Sequence, residues 1–138
     1  MLIPTLALFA TATLFGGMIL YSFGFAPLVF NKLSMEQASK LLREAFPYYY
    51  LFVIGLAALA TLTLLRSDAL SVWLMAIVLI LGIAARQLLM PAINRARDAQ
   101  QGGDSGAGSR FKRLHGLSVA VNFLQLLLVA MVLYRIGI

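Results

Sequence analysis

The chain has 138 residues, 62% of them hydrophobic and 12% charged, with a net charge of +6 and no cysteine. A soluble domain carries roughly 25% charged residues, so a mean hydropathy of +0.92 puts the chain in the membrane class. Without cysteine, disulfides, thiolate metal sites and cysteine nucleophiles are excluded. The excess of basic residues lies in short segments between apolar runs, the juxtamembrane pattern, and does not point to nucleic acid.

The first apolar run spans about residues 4–30. No Lys or Arg precedes it, and it exceeds the roughly 7–15 residues of a signal-peptide core, so it reads as a retained first span. At 1.5 Å per residue it makes ~40 Å of helix against ~30 Å of hydrocarbon, which requires tilting, bending or protrusion. Gly16, Gly17, Gly24 and Pro27 offer close packing and a bend. Tyr21 and Ser22 lie mid-span, where their hydroxyls are expected to bond to neighbouring helices or backbone.

The segment LSMEQASKLLREAFP follows. Ser34 and Gln37 form a capping box, and Met35, Ala38, Leu41, Leu42, Ala45 and Phe46 share one face. Too short and charged to span, it reads as an interfacial amphipathic helix ended by Pro47. The second span covers about 48–65, opening on Tyr48, Tyr49 and Tyr50 as an aromatic belt. The third covers about 70–89, with Trp73 near its start. Arg86 and Gln87 lie in its last turn, where Arg86 either snorkels to the interface or faces the bundle. Met90-Pro91 then marks a kink or stop. Asn94, Arg95, Arg97 and Asp98 read as a helical extension outside the hydrocarbon, residues 100–109 as a flexible linker, and 114–134 as the fourth span.

Nine Lys and Arg residues lie on one side of these spans, counting Arg86 at its edge, and only Arg66 and Arg135 on the other. The asymmetry predicts cytoplasmic loops at 31–47 and 90–113, with both termini on the opposite side.

One stretch stands apart, FKRLHGLSVAVNFLQ, residues 111–125. At 100° per residue His115, Ser118, Asn122 and Gln125 fall at about 0°, −60°, −20° and −80°, a narrow polar stripe on an otherwise apolar helix. Such a stripe faces protein or a water-filled cavity. It therefore either knits the bundle, or a homo-oligomer or partner helix, together, or lines a site entered from the cytoplasm with His115 and Arg86 at its mouth. His115 is the only histidine and is available for a proton, a metal or a haem iron. A second axial ligand would have to be a methionine or a histidine from another copy. All five acidic residues lie in loops or at the interface, which argues against carboxylate chemistry within the bilayer. Ser118 and His115 share a face, but no orienting acid or oxyanion hole accompanies them.

Four segments, GGMILYSFGFAPLVF, LLREAFPYYY, LLMPAINRARD and FKRLHGLSVAVNFLQ, together resemble the small bacterial DUF4149 proteins. These are similar to the eukaryotic transmembrane protein 205 family. The resemblance implies a four-span integral membrane protein of a bacterial inner membrane, which makes the termini periplasmic, with no established activity. It places emphasis on Pro27, Pro47, Pro91, Asn94, His115, Ser118, Asn122 and Gln125. A more distant likeness in size and layout links the chain to small four-helix proteins of copper resistance and protoporphyrinogen oxidation. Those carry histidines on early spans, and this chain has none there.

The expectation is thus an all-α, single-domain, four-helix integral membrane bundle with a short interfacial helix between its first two spans. Its leading function is non-enzymatic: an oligomeric bundle with a polar site at His115, Ser118, Asn122, Gln125 and Arg86 that binds or passes a small polar ligand or ion. The alternatives are a haem-, tetrapyrrole- or metal-linked redox protein using His115, and a structural subunit of a larger membrane complex.

Overall fold

The computed structural model describes residues Met1–Ile138. Four long helices account for nearly all of it: α1 (Leu2–Lys32), α2 (Met35–Leu64), α3 (Ala69–Gln101) and α4 (Ala107–Gly137). At 30 to 33 residues each, they run about 45–50 Å, enough to cross the hydrocarbon and both headgroup layers. Each therefore outruns its expected span. Hydropathy marks only the apolar part of a helix, whereas the i→i−4 ladder satisfies the backbone equally well where the sequence turns polar.

Around the ring, α1 packs on α2 and α4, and α3 packs on α2 and α4. Neighbours run antiparallel: Asn122 of α4 reaches Ser22 of α1, while Gly137 lies against Leu8. The core is built from Leu14 and Met18 of α1, Val53 and Leu64 of α2, Met75 and Val78 of α3, and Val129 and Val132 of α4. Small residues, Ala10, Ala57 and Ala60, let the backbones approach. Only 26 of the 138 residues are buried, while Phe9, Leu20, Leu62, Trp73, Ile80 and Leu127 are among the many large apolar side chains left exposed. In water such a surface would aggregate; against acyl chains it costs nothing. The fold is that of a multi-pass membrane protein.

Three local expectations are corrected. The amphipathic segment after Ser34 is not a separate interfacial helix. Its capping box is present, with Ser34 Oγ accepting from the Gln37 N–H at 3.2 Å and Gln37 Oε1 accepting from the Ser34 N–H at 3.4 Å. The helix so started runs through Pro47 to Leu64. A proline inside a helix costs about 3 kcal/mol, but packing grips both sides of it: Ala38 and Leu42 against Val29, and Tyr49 and Tyr50 in the main core. The linker contracts to the five residues Gly102–Gly106, because α3 runs on to Gln101 and α4 begins at Ala107. Gly103 there takes a φ of 95°, which favours glycine.

Nor does Pro91 stop its helix, and α1 likewise continues through Pro27. Each is preceded by a π-helical segment, Leu20–Phe25 in α1 and Ala85–Leu89 in α3. In both, the residue just before the proline donates five residues back, Ala26 N–H to Tyr21 O and Met90 N–H to Ala85 O. The wider turn moves the carbonyl four residues back away from the proline ring, so the helix continues where an α-turn would clash.

The polar helix ends are tied together at one end of the bundle. Arg43 makes a two-pronged pair with Asp98 at 2.6 and 3.0 Å, and Arg97 donates to Ser39 Oγ at 2.6 Å while lying over the Phe111 ring. At the other end, Arg135 pairs with Asp68, which also caps α3 through the Leu70 and Ser71 N–H groups.

Candidate functional site

The polar stripe of α4 faces its own bundle. Asn122 is its centre: its Oδ1 accepts from the Tyr49 hydroxyl at 2.5 Å, and its Nδ2 donates to Ser22 Oγ at 2.9 Å. One turn towards the loop end, Ser118 Oγ lies 3.5 Å from the Tyr50 hydroxyl. One turn deeper, Gln125 is completely buried and donates through Nε2 to the Val78 carbonyl at 2.9 Å. Three helices are thus pinned to α4 by three consecutive polar side chains. Such a net satisfies groups that lipid could not.

A cleft of about 320 Å³ lies between α1, α2 and α4. Its walls are largely aromatic, with Phe23, Phe46, Tyr49 and Phe123 among them, and its polar groups include Ser22, Ser118 and Asn122. Tyr21 stacks on Tyr49 with ring centroids 4.0 Å apart and also packs edge-on against Phe46. The Tyr21 hydroxyl has no hydrogen-bond partner in the protein. Phe23, Phe30, Val119 and Phe123 line the cleft yet are exposed, so it opens sideways between α1 and α4 onto the lipid-facing surface. The π-segment of α1 supplies Tyr21, Ser22 and Phe23 to it, and Pro27 sits on its wall.

The sequence-derived site residues divide. His115, Ser118 and Asn122 line this cleft. His115 is exposed and stacks on Phe111, with centroids 5.9 Å apart. Gln125 and Arg86 do not line it. Gln125 is sealed into the core, and its Oε1 has no partner. Arg86, in the π-segment of α3, turns to α2 and donates from Nε to the Pro47 carbonyl at 3.4 Å. Asn94 lies beside His115, Met90 and Arg43 in a smaller gap of about 30 Å³. That gap brings the histidine near a methionine but is far too small for a porphyrin ring.

Tyr49 and Tyr50 were expected as interfacial anchors and are instead buried, with only Tyr48 facing outwards. The signal was present: consecutive helical residues point 100° apart, so three adjacent tyrosines cannot share one environment. The expected bonding of Ser22 to a neighbouring helix is met by Asn122.

A family model described as a domain of unknown function, DUF4149, matches residues 9–102. The match takes in most of α1, all of α2 and α3, and stops short of α4. No curated protein and no solved structure matches the chain.

Proposed function

This chain belongs to the DUF4149 family, and we propose that it is a ligand-binding membrane protein whose α1–α2–α4 cleft holds a small amphipathic molecule. One observation carries the reading: the cleft is preformed, aromatic on its walls, and carries hydrogen-bonding groups where Tyr49, Asn122 and Ser22 meet. At about 320 Å³ it lies at the small end of the ~300–1,000 Å³ typical of small-molecule sites, which share this make-up of apolar lining with a few polar groups. The apolar body of the ligand would lie against Phe23, Phe46 and Phe123. Its polar group would meet Ser22, Asn122 and the unpaired Tyr21 hydroxyl, with His115 at the mouth.

Binding is favoured over passage of an ion. Below Asn122 the bundle is closed by Gln125, Met18, Met75 and Val129, all fully buried, and a conduction path needs a wetted route through that layer. The asymmetry of nine Lys and Arg against two supports an inner-membrane orientation with the His115 end cytoplasmic and both termini periplasmic. Ser118, Asn122 and Gln125 make their bonds within the chain, which leaves His115 as the stripe's one exposed member.

Native mass spectrometry of the protein released from mild detergent, with an absorbance scan of the same sample, tests this reading. A reproducible added mass on the wild type that is lost on Val119→Trp, which fills the cleft from its exposed edge, is the expected result. A bare wild-type protein, or one whose every added mass survives Val119→Trp, would make the cleft a packing feature.

A further inference from the structure

A second hollow lies on the opposite side of α4. Between α3 and α4 runs a groove of about 300 Å³ whose nine lining residues are all apolar. Ala85, Leu88 and Ala92 form its α3 wall, and Leu114, Leu117 and Val121 its α4 wall. Alanine leaves the space on α3 that larger side chains would fill. No polar group waits in it for a ligand, so its occupant must be a hydrocarbon chain or another apolar surface.

Charge at one end of the groove decides which. On α3, beyond the π-segment, Arg95 lies about −60° from Ala92 at 100° per residue, on the same side of the helix nearly one turn further. On α4, Arg110 and Arg113 lie about +20° and −40° from Leu117, continuing the line of Leu114 towards the helix start. The end of α3 and the start of α4 are joined by the short turn Gly102–Gly106, so the three guanidinium groups belong to the same end of the groove. All three arginines are exposed. Arg95 and Arg113 make no ion pair, and Arg110 has only a 3.4 Å contact with Asp104. Elsewhere at this end, by contrast, Arg43 is matched to Asp98 and Arg97 to Ser39. An apolar trough that ends in two unpaired guanidinium groups and a third held only loosely by Asp104 complements a molecule with a long hydrocarbon chain and an anionic head.

We propose that the α3–α4 groove binds an anionic glycerophospholipid, one acyl chain lying along Ala85, Leu88, Ala92 and Leu117 and its phosphate held by Arg95, Arg110 and Arg113. Guanidinium groups suit the phosphate because they donate in a two-pronged, planar fork. Basic pockets between spans at the cytoplasmic face are known to take such headgroups. The site is separate from the α1–α2–α4 cleft and stands without it.

The test is native mass spectrometry of the full chain in mild detergent supplemented with either phosphatidylglycerol or phosphatidylcholine of the same acyl chains. The wild type is expected to retain phosphatidylglycerol preferentially. Each basic residue near a membrane surface contributes about a fivefold preference for anionic lipid, so Arg95→Gln with Arg113→Gln is expected to reduce retention by roughly 25-fold. Arg66→Gln, at the far end, and Val119→Trp, in the other cleft, should leave it unchanged. Leu88→Trp and Ala92→Trp, which fill the groove with every arginine intact, are each expected to reduce it. Equal retention of the two lipids would overturn the proposal. So would a double-arginine variant no weaker than Arg66→Gln, or retention undiminished in both tryptophan variants, which would reduce the effect to surface attraction.

Discussion

Replacing Gln125 by methionine is expected to leave the bundle as stable as the wild type or more so, although it removes a fully buried hydrogen bond. Gln125 donates to the Val78 carbonyl at 2.9 Å. That carbonyl lies inside α3 and already has the partner the helix ladder gives it. Measured interhelical hydrogen bonds in a membrane protein average about 0.6 kcal/mol and reach about 1.7. Against this stands Gln125 Oε1, sealed from solvent with no donor, a state that costs about 1–3 kcal/mol. Methionine has the same unbranched reach and adapts to irregular space, and a volume-conserving exchange of this kind costs less than about 1.5 kcal/mol. With the average hydrogen bond at about 0.6 and the orphan cost at about 2, the balance runs from neutral to about 1.4 kcal/mol of stabilisation, according to how well methionine fits. Gln125→Ala is the contrasting variant: it also removes the orphan oxygen but opens a cavity, and should destabilise by about 2 kcal/mol or more. Reversible SDS-titrated unfolding in lipid–detergent micelles measures both. A loss above about 1 kcal/mol in Gln125→Met would refute the reasoning, since Oε1 would then have a partner that the protein alone does not supply.

Tyr49→Phe and Asn122→Ala, measured singly and together by the same unfolding assay, should couple by about 0.6–1.7 kcal/mol; additivity would mean that the 2.5 Å contact between them contributes nothing. Tyr21→Phe removes a buried hydroxyl with no protein partner, so by the same reasoning it should leave unfolding unchanged or stabilise by up to about 1–3 kcal/mol, while weakening whatever the cleft retains, read by native mass spectrometry. The paired glycines of α1 should respond differently: Gly17→Ala places a methyl group into the Phe52 ring and should destabilise by about 1–3 kcal/mol, whereas Gly16→Ala meets nothing within 4 Å and should be neutral or gain up to about 1 kcal/mol in helix propensity. Equal effects at the two positions would refute the packing of α1 on α2. Finally, hydrogen bonds from Ser71 and then Arg135 hold the Asp68 carboxyl at about 2, below its ordinary 3.8. Because the folded value is the lower one, this contribution is complete above the ordinary value and is lost as pH falls through 3.8 towards 2. Thermal melts of the wild type and Asp68→Asn should therefore converge over that window, and a constant difference would count against the Asp68 clamp.

The four spans were legible because about 20 consecutive apolar residues have one common explanation. The inward face of α4 was legible because a polar residue at each turn can be satisfied only on one side. What the stripe meets was not. Ser22 lies 100 residues from Asn122 and Tyr49 lies 73 away, and no pattern internal to one helix encodes which neighbour faces it. Pro47 was misread because the local preference of the residue before proline was weighed alone, while burial of Leu42 on one side and Tyr49 on the other holds the helix straight through. Arg86, read as snorkelling or facing the bundle, instead donates to the Pro47 carbonyl of α2, and the π-segment it sits in cannot be read from the proline alone.

Two buried polar atoms in the bundle lack a partner, the Tyr21 hydroxyl and Gln125 Oε1, and their surroundings give them opposite meanings. Gln125 is enclosed by close-packed side chains, so its orphan oxygen is a standing cost of pinning α4 to α3. Tyr21 belongs to a π-segment, and its neighbours Ser22 and Phe23 line an opening onto lipid. Wider π-turns break the regular i→i−4 ladder and recur at functional sites, and here that turn sets an unpaired donor beside a preformed cleft. Gln125→Met and Tyr21→Phe therefore remove the same kind of orphan atom, and only the second, beside the cleft, should also change ligand retention.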